Sequence, residues 1–392
     1  MAAASAADSS SFAEKSSIKS RTMLGDGSYT LATKGCFDVI ANAMDIADSA
    51  LDAVEMPSGR HFVLADYGTA DGGTSIDLVS RVIGKVRERT SADQEVIVLY
   101  EDIPTNPFGP LFQMTQGMLA LPGGRTSFLA KHPTGVFVHA VGTSFYRQCA
   151  PTGTVDFGMS FTAMHWTSAV PCPIPGTLHS VMAPEEVRAK YAAQSGADWA
   201  KILEQRAKEM RPGARLIMAN FCVDDKGCYL GYTTPHGGPS ANMHGLFAKH
   251  WAELRDSGRI TAEEFDATNF PQHYRTVDEF KAPLEDETSA AHRLGLRLET
   301  IETRRTPCPF ATAWANGEYS SPEAFAKDYV PTLRSWSTSV FVSGLSESRP
   351  VEERNAIVEE FWGKYEAAAA ADPAAHGMDY IHAFIVVRKE SA

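Results

Sequence analysis

The 392-residue chain contains no CxxC pair. Its six cysteines, Cys36, Cys149, Cys172, Cys222, Cys228 and Cys308, are scattered and form no Cys/His cluster at zinc spacing. Neither a metal knuckle nor a disulfide framework is therefore indicated, no metal is expected, and a reduced, intracellular setting fits best. No apolar run approaches the roughly 18 residues that span a bilayer, so a soluble protein with no membrane partner is expected. Positive charge is also short: the net charge is −12, with 44% hydrophobic and 21% charged residues. That balance disfavours attraction to phosphate backbones or anionic membranes, and no nucleic-acid partner is expected. The opening "MAAASAADSSSFAEKSSIKSR" has no hydrophobic signal core and carries acids at Asp8 and Glu14. It reads as a disordered tail and suggests a cytoplasmic protein; its Ser-rich, Arg-containing look leaves plastid targeting by a cleaved transit peptide open.

What the chain does have is a regular alternation. Apolar runs suited to buried strands occur at 61–66, 95–101, 136–141, 154–160, 215–221, 296–302 and 380–387. Helical periodicity fills the intervals near 31–54, 75–90, 108–120, 186–210, 240–256, 322–334 and 351–370. Strands alternating with helices predict an α/β fold with a doubly wound sheet. Two stretches exceed that minimal plan, 168–187 and a long helical region from about 236 to 292. Added helices at the carboxyl edge of such a sheet can roof a ligand crevice and exclude water.

The most informative stretch is "HFVLADYGTADGGTSIDLV" (61–79), a strand, a Gly/Asp turn and a helix. Turns of this kind expose backbone N–H groups and let a ligand approach the main chain. The dinucleotide fingerprint GxGxxG is absent: Gly68 is followed by Thr69-Ala70-Asp71-Gly72-Gly73, with Asp66 two residues ahead. Acids such as Asp66 and Asp71 at the rim would repel a pyrophosphate but tolerate a sulfonium and an ammonium, so a methyl-donor site fits better. The second strand ends at Glu101 and Asp102, where an acid can accept both hydroxyls of a ribose. Asp102 stands 36 residues after Asp66, against the roughly 20 usual in dinucleotide folds. "HAVGTSFYRQCAP" (139–151) and "DFGMSFTAMHWTSAVP" (156–171) place Ser144 and Phe145 after the third strand and aromatics after the fourth. An adenine fits between such groups.

With these segments the sequence resembles a known family. "GDGSYT" (25–30), "ADYGTADGG" (65–73), "YEDIPTNPF" (100–108), "GTSFY" (142–146), "SFTAMHW" (160–166), "RPGARLIM" (211–218) and "NFPQHYRTVDEF" (269–280) follow in order the motifs of the SABATH methyltransferases, over about residues 22–390. The resemblance implies a Rossmann-like, seven-stranded methyltransferase core with a helical cap, S-adenosylmethionine as methyl donor, a small-molecule carboxylate as acceptor and a homodimer. It implies a layout of tail (1–22), donor-binding core (23–167), cap insertion (168–210), core (211–235), helical cap (236–292) and core completion (293–392). Carried over by position, Ser28, Tyr29 and Thr33 close over the donor, and Asp66, Gly68 and Asp71 flank its amino-acid part. Asp102 and Ile103 hold ribose and adenine, and Ser144 and Phe145 border the adenine. Trp166 holds a carboxylate oxygen through its indole N–H, with Phe161 and His165 beside it, and His165 and Trp166 are the residues expected at the chemistry.

One departure stands out. Plant members carry a glutamine that grips the second carboxylate oxygen, where this chain has Cys36, a weak donor. Cys36 is thus expected to border the acceptor, and methylation at sulfur or nitrogen of a small carboxylate-bearing metabolite remains the alternative. A nicotinamide-dependent dehydrogenase and a non-catalytic adenosylmethionine-binding protein are the competing readings from other classes. Methyl transfer from a sulfonium to a carboxylate needs no general base, so no Ser/His/Asp triad is required; positioning in a dry pocket can carry the catalysis.

Overall fold

The structure, a computed structural model, describes residues 28–390; the expected tail at 1–22 lies outside them. Seven strands form one sheet: β1 Phe62–Tyr67, β2 Val96–Asp102, β3 Val136–Gly142, β4 Val155–Phe161, β5 Met210–Phe221, β6 Leu296–Thr306 and β7 Tyr380–Lys389. Their order is β3-β2-β1-β4-β5-β7-β6. Pairing is parallel from β3 through β5, and β7 runs antiparallel to both β5 and β6. All seven strands coincide with the apolar runs of the sequence, and the central β1 is buried along its whole length, as a strand covered by helices on both faces must be.

Chain direction in the sheet places the site. The chain leaves β1 toward β2 on one side and later returns to β4 on the other, so a switch point opens beyond the carboxyl ends of β1 and β4. In β1–β4 the register sets Asp66 beside Met159, and in β1–β2 it sets Tyr67 beside Glu101. The antiparallel β7 has its first residues at the same end: His382 pairs with Phe221, the last residue of β5.

The segment expected as a cap insertion at 168–210 divides in two. Its second half is a 25-residue helix, Glu185–Glu209, that runs directly into β5. Trp199, Ile202, Leu203 and Ala207 on this helix cluster with Val63 and Ala65 of β1 and Leu216 of β5. It is the β4–β5 crossover, held on the sheet by burial of its apolar face. In the helical region 236–292, Phe247 and Trp251 pack against Phe341 and Phe361 of helices Pro322–Gly344 and Val351–Ala371. These rings belong to the same continuous core as Phe62 and Leu64 of β1, so cap and sheet are not separately packed bodies. Among the described residues, no helix is long and apolar enough to cross a membrane.

Candidate active site

The Gly/Asp turn after β1 adopts left-handed backbone at Gly68 (φ 75°), Ala70 (φ 49°) and Gly72 (φ 71°). Gly68 is fixed twice over: beyond its positive φ, a Cβ there would stand 2.3 Å from the Cβ of Ala163. The N–H groups of Gly68 and Thr69 donate to the Glu101 carbonyl at 2.8 and 3.1 Å. Asp102 then locks the turn to β2, because its carboxylate accepts the N–H of Ala70 at 2.6 Å and that of Ile103 at 2.7 Å. Burial raises its pKa to about 6 despite those two bonds. Each oxygen keeps a second lone pair for another donor.

The two carboxylates that flank the turn in sequence face inward. Asp66 accepts from Ser75 Oγ at 2.7 Å, and its pKa is raised to about 7, chiefly by burial. Asp71 accepts the Thr30 N–H at 2.9 Å and the Thr30 hydroxyl, and burial raises it too. Its bonds draw the short helix Ser28–Ala32 over the turn. Neither residue is among the walls of the two cavities described next; Asp66 braces the turn and Asp71 ties Tyr29 into place above it.

Two adjoining cavities open at the carboxyl end of the sheet. The first is walled by Gly68, Ala70, Asp102, Ile103, Phe145, Phe161 and Ala163. The second is walled by Thr33, Cys36, His165, Phe221, Trp336, Met378 and Tyr380. Tyr29, Thr162 and Trp166 line both, so the junction between the cavities lies among these three. Thr162 is β-branched yet left-handed (φ 59°), a strained backbone state. It is held there by its N–H to the Ala219 carbonyl at 2.7 Å and by Oγ1 against His382 Nε2 at 3.1 Å.

The second cavity is electrically neutral. No Lys or Arg is among its walls, and burial, reinforced by His382 and Arg275, drops His165 well below the usual histidine range. The His165 ring meets Phe221 edge-on at 4.6 Å and lies 5.5 Å from Trp166. Two neighbours fix the segment that carries this pair. Tyr146 OH donates to the Trp166 carbonyl at 2.7 Å, and the buried Arg275 donates to the Met164 carbonyl at 2.9 Å.

Of the residues singled out from sequence, Tyr29, Gly68, Asp102, Ile103 and Phe145 lie together on the first cavity. Phe161, expected beside the acceptor, lines that cavity as well, whereas Thr33, expected beside the donor, lines the second. Ser144 lines neither; its hydroxyl faces the Tyr146 N–H at 3.5 Å. The Ser28 side chain lies outside the described residues. Sequence reasoning did not reach Thr162, although it sits within SFTAMHW, and it had no signal for Met378 or Tyr380, which arrive at the start of the remote strand β7; Trp336, from the middle of helix Pro322–Gly344, reads in sequence only as one of several late aromatics that could line a cap or pack the core.

The first cavity suits an adenosyl group: an acid with lone pairs free for hydroxyls, apolar walls from Ile103 and Phe145, and a glycine turn open to close approach. The family model described as SAM-dependent carboxyl methyltransferase matches residues 18–390. The chain belongs to this family. It is an S-adenosylmethionine-dependent methyltransferase, and several relatives are named for small carboxylic acids. Indole-3-acetate O-methyltransferase 1 of Oryza sativa subsp. japonica is 28% identical over 66% of this chain and 68% of its own length. Jasmonate O-methyltransferase of Arabidopsis thaliana is 24% identical over 68% and 72%. O-methyltransferase acrG of Aspergillus aculeatus is 24% identical over 76% of each. The fold matches loganic acid methyltransferase solved with SAH at a TM-score of 0.71, with 18% identity over 94% of this chain and 99% of that one.

Proposed function

We propose that this carboxyl methyltransferase acts on a small acid with an apolar, flat body, which enters the neutral cavity and points its carboxylate at the junction of Tyr29, Thr162 and Trp166. The observation that carries this reading is the sharing of those three residues between the two cavities. When bound, S-adenosylmethionine supplies the sulfonium methyl group; the carboxylate lone pair forms the O–CH3 bond as the S–CH3 pair returns to sulfur.

The chain's own part is positioning. Asp102, through the lone pairs left by Ala70 and Ile103, takes the ribose hydroxyls, while Ile103 and Phe145 cover the adenine. The indole N–H of Trp166, which has no hydrogen-bond partner among the described residues, takes one carboxylate oxygen. His165 stays neutral and presents one ring N–H. The cavity offers no protein cation and little water, so the carboxylate finds its counter-charge only at the sulfonium. Attack neutralises both charges, a step that a dry, preorganised site favours. The reading includes a homodimer working in the cytoplasm, supported by the family resemblance and the reduced cysteines; light scattering and fractionation test those two points.

Incubation with methyl-labelled S-adenosylmethionine and a panel of aryl and alkyl acids tests the reaction. An alkali-labile methyl ester is expected. An alkali-resistant product with fixed charge would instead assign transfer to sulfur or nitrogen.

A further inference from the structure

The walls of the acceptor cavity carry two tyrosines and no carboxylate. Tyr29 OH lies 3.8 Å from Cys36 Sγ, and Tyr380 borders the same cavity as both. Sulfur is a weak acceptor, so this wall brings two phenolic O–H groups beside one poor partner. Two further wall hydroxyls are already engaged: Thr33 Oγ1 donates to the Tyr29 carbonyl at 2.7 Å, and Thr162 Oγ1 pairs with His382.

The position of Tyr380 is built rather than incidental. Its ring lies parallel to that of Phe221 at 6.0 Å. It also fills the space beside Gly35, where a Cβ would stand 2.3 Å from Tyr380 Cε2 and 2.6 Å from its hydroxyl. Burial raises both tyrosines well above their ordinary pKa, with Cys36 adding to the shift, and burial keeps Cys36 a thiol. All three groups thus remain protonated at neutral pH.

We propose that the hydroxyls of Tyr380 and Tyr29 hold the second oxygen of the acceptor carboxylate, opposite the oxygen held by Trp166, with Cys36 as the spacer that keeps both O–H groups free for it. A carboxylate brings about four lone-pair sites and no donor of its own, which complements a pair of O–H groups. The inference rests on the carboxylate reading above.

The test is steady-state kinetics on Tyr380→Phe, which removes one O–H and keeps the ring. The KM for the acceptor acid should rise roughly ten- to hundredfold, the loss of a hydrogen bond to a charged group, while the Kd for S-adenosylhomocysteine stays within twofold. Cys36→Ser is the second variant: it gives the two phenols a strong internal acceptor, and the KM should rise several-fold without a change in donor affinity. If the wild type methylates acids but both variants keep its KM, or if Tyr380→Phe does not fold and Cys36→Ser keeps it, this assignment alone is overturned. If the wild type methylates no acid at all, the carboxylate reading falls and takes the assignment with it.

Discussion

Arg206 and Glu209 meet at 2.7 Å with neither side chain exposed. Arg206 also donates to the carbonyls of Phe145 at 3.1 Å and Arg147 at 2.8 Å, while Glu209 accepts Tyr67 OH at 2.7 Å and the Cys149 N–H. One buried ion pair at the end of the crossover helix therefore frames the loop that presents Phe145 to the donor cavity.

Removing one partner of that pair leaves a charge stranded in the interior. Glu209→Ala is expected to cost about 3–5 kcal/mol of stability and to weaken donor binding by displacing Phe145. Urea denaturation and calorimetric titration with S-adenosylhomocysteine check both; a loss below about 1 kcal/mol, within the range of exposed pairs, would count against the framing role.

Asp102 holds the turn, and the proposed function gives it the donor ribose as well. Asp102→Ala is expected to weaken donor affinity more than tenfold, since charge-assisted bonds are worth roughly 1.5–3 kcal/mol each. Asp102→Asn should lose less, because its one carbonyl oxygen can still accept a backbone N–H. Equal affinity for wild type and Asp102→Ala would remove Asp102 from the donor site.

Trp166 borders both cavities through its ring, but the proposed contact is its N–H. Trp166→Phe should leave the Kd for S-adenosylhomocysteine within about threefold and lower kcat/KM for the acid by at least tenfold, the size of one hydrogen bond to a charged group. A parallel fall in both quantities would make Trp166 a packing residue.

Asp66 sets a pH dependence. Its folded pKa of about 7 lies above the unfolded value of 3.8, so the folded chain holds its proton more tightly, and stability is lost as pH rises from about 4 through 7. The buried His244 and His382, lowered to about 3, act oppositely between about 3 and 6.5, so a comparison of variants isolates Asp66. Asp66→Asn keeps an acceptor for Ser75, and its melting temperature relative to wild type should climb across that window and level off above it. A constant difference from pH 4 to 8 would contradict the shift.

The sequence was most legible where a local rule governs. Apolar runs located every strand: the buried ones, such as β1, are largely apolar, while the edge strands β3 and β6 are partly exposed and β6 mixes apolar with polar residues, and the turn at Gly68 showed itself through its glycines. Gly68, Asp102 and Ile103 also come together on the first cavity, since they sit at the ends of neighbouring strands. The second cavity was less legible: Met378 and Tyr380 reach it only through tertiary packing, and nothing in their own neighbourhoods distinguishes them from core residues. Asp66 and Asp71 show the same limit. A carboxylate beside a turn looks the same in sequence whether it faces a ligand or braces the backbone, and only the structure shows Asp66 bonded to Ser75 and Asp71 to Thr30.

The reversed strand β7 carries a consequence for truncation. Because it wedges between β5 and β6, Tyr380 at its start joins a cavity wall with Trp166, a residue far earlier in the chain. A chain cut before Tyr380 would lose that wall and would also cast off β6, whose pairing in the sheet runs through β7.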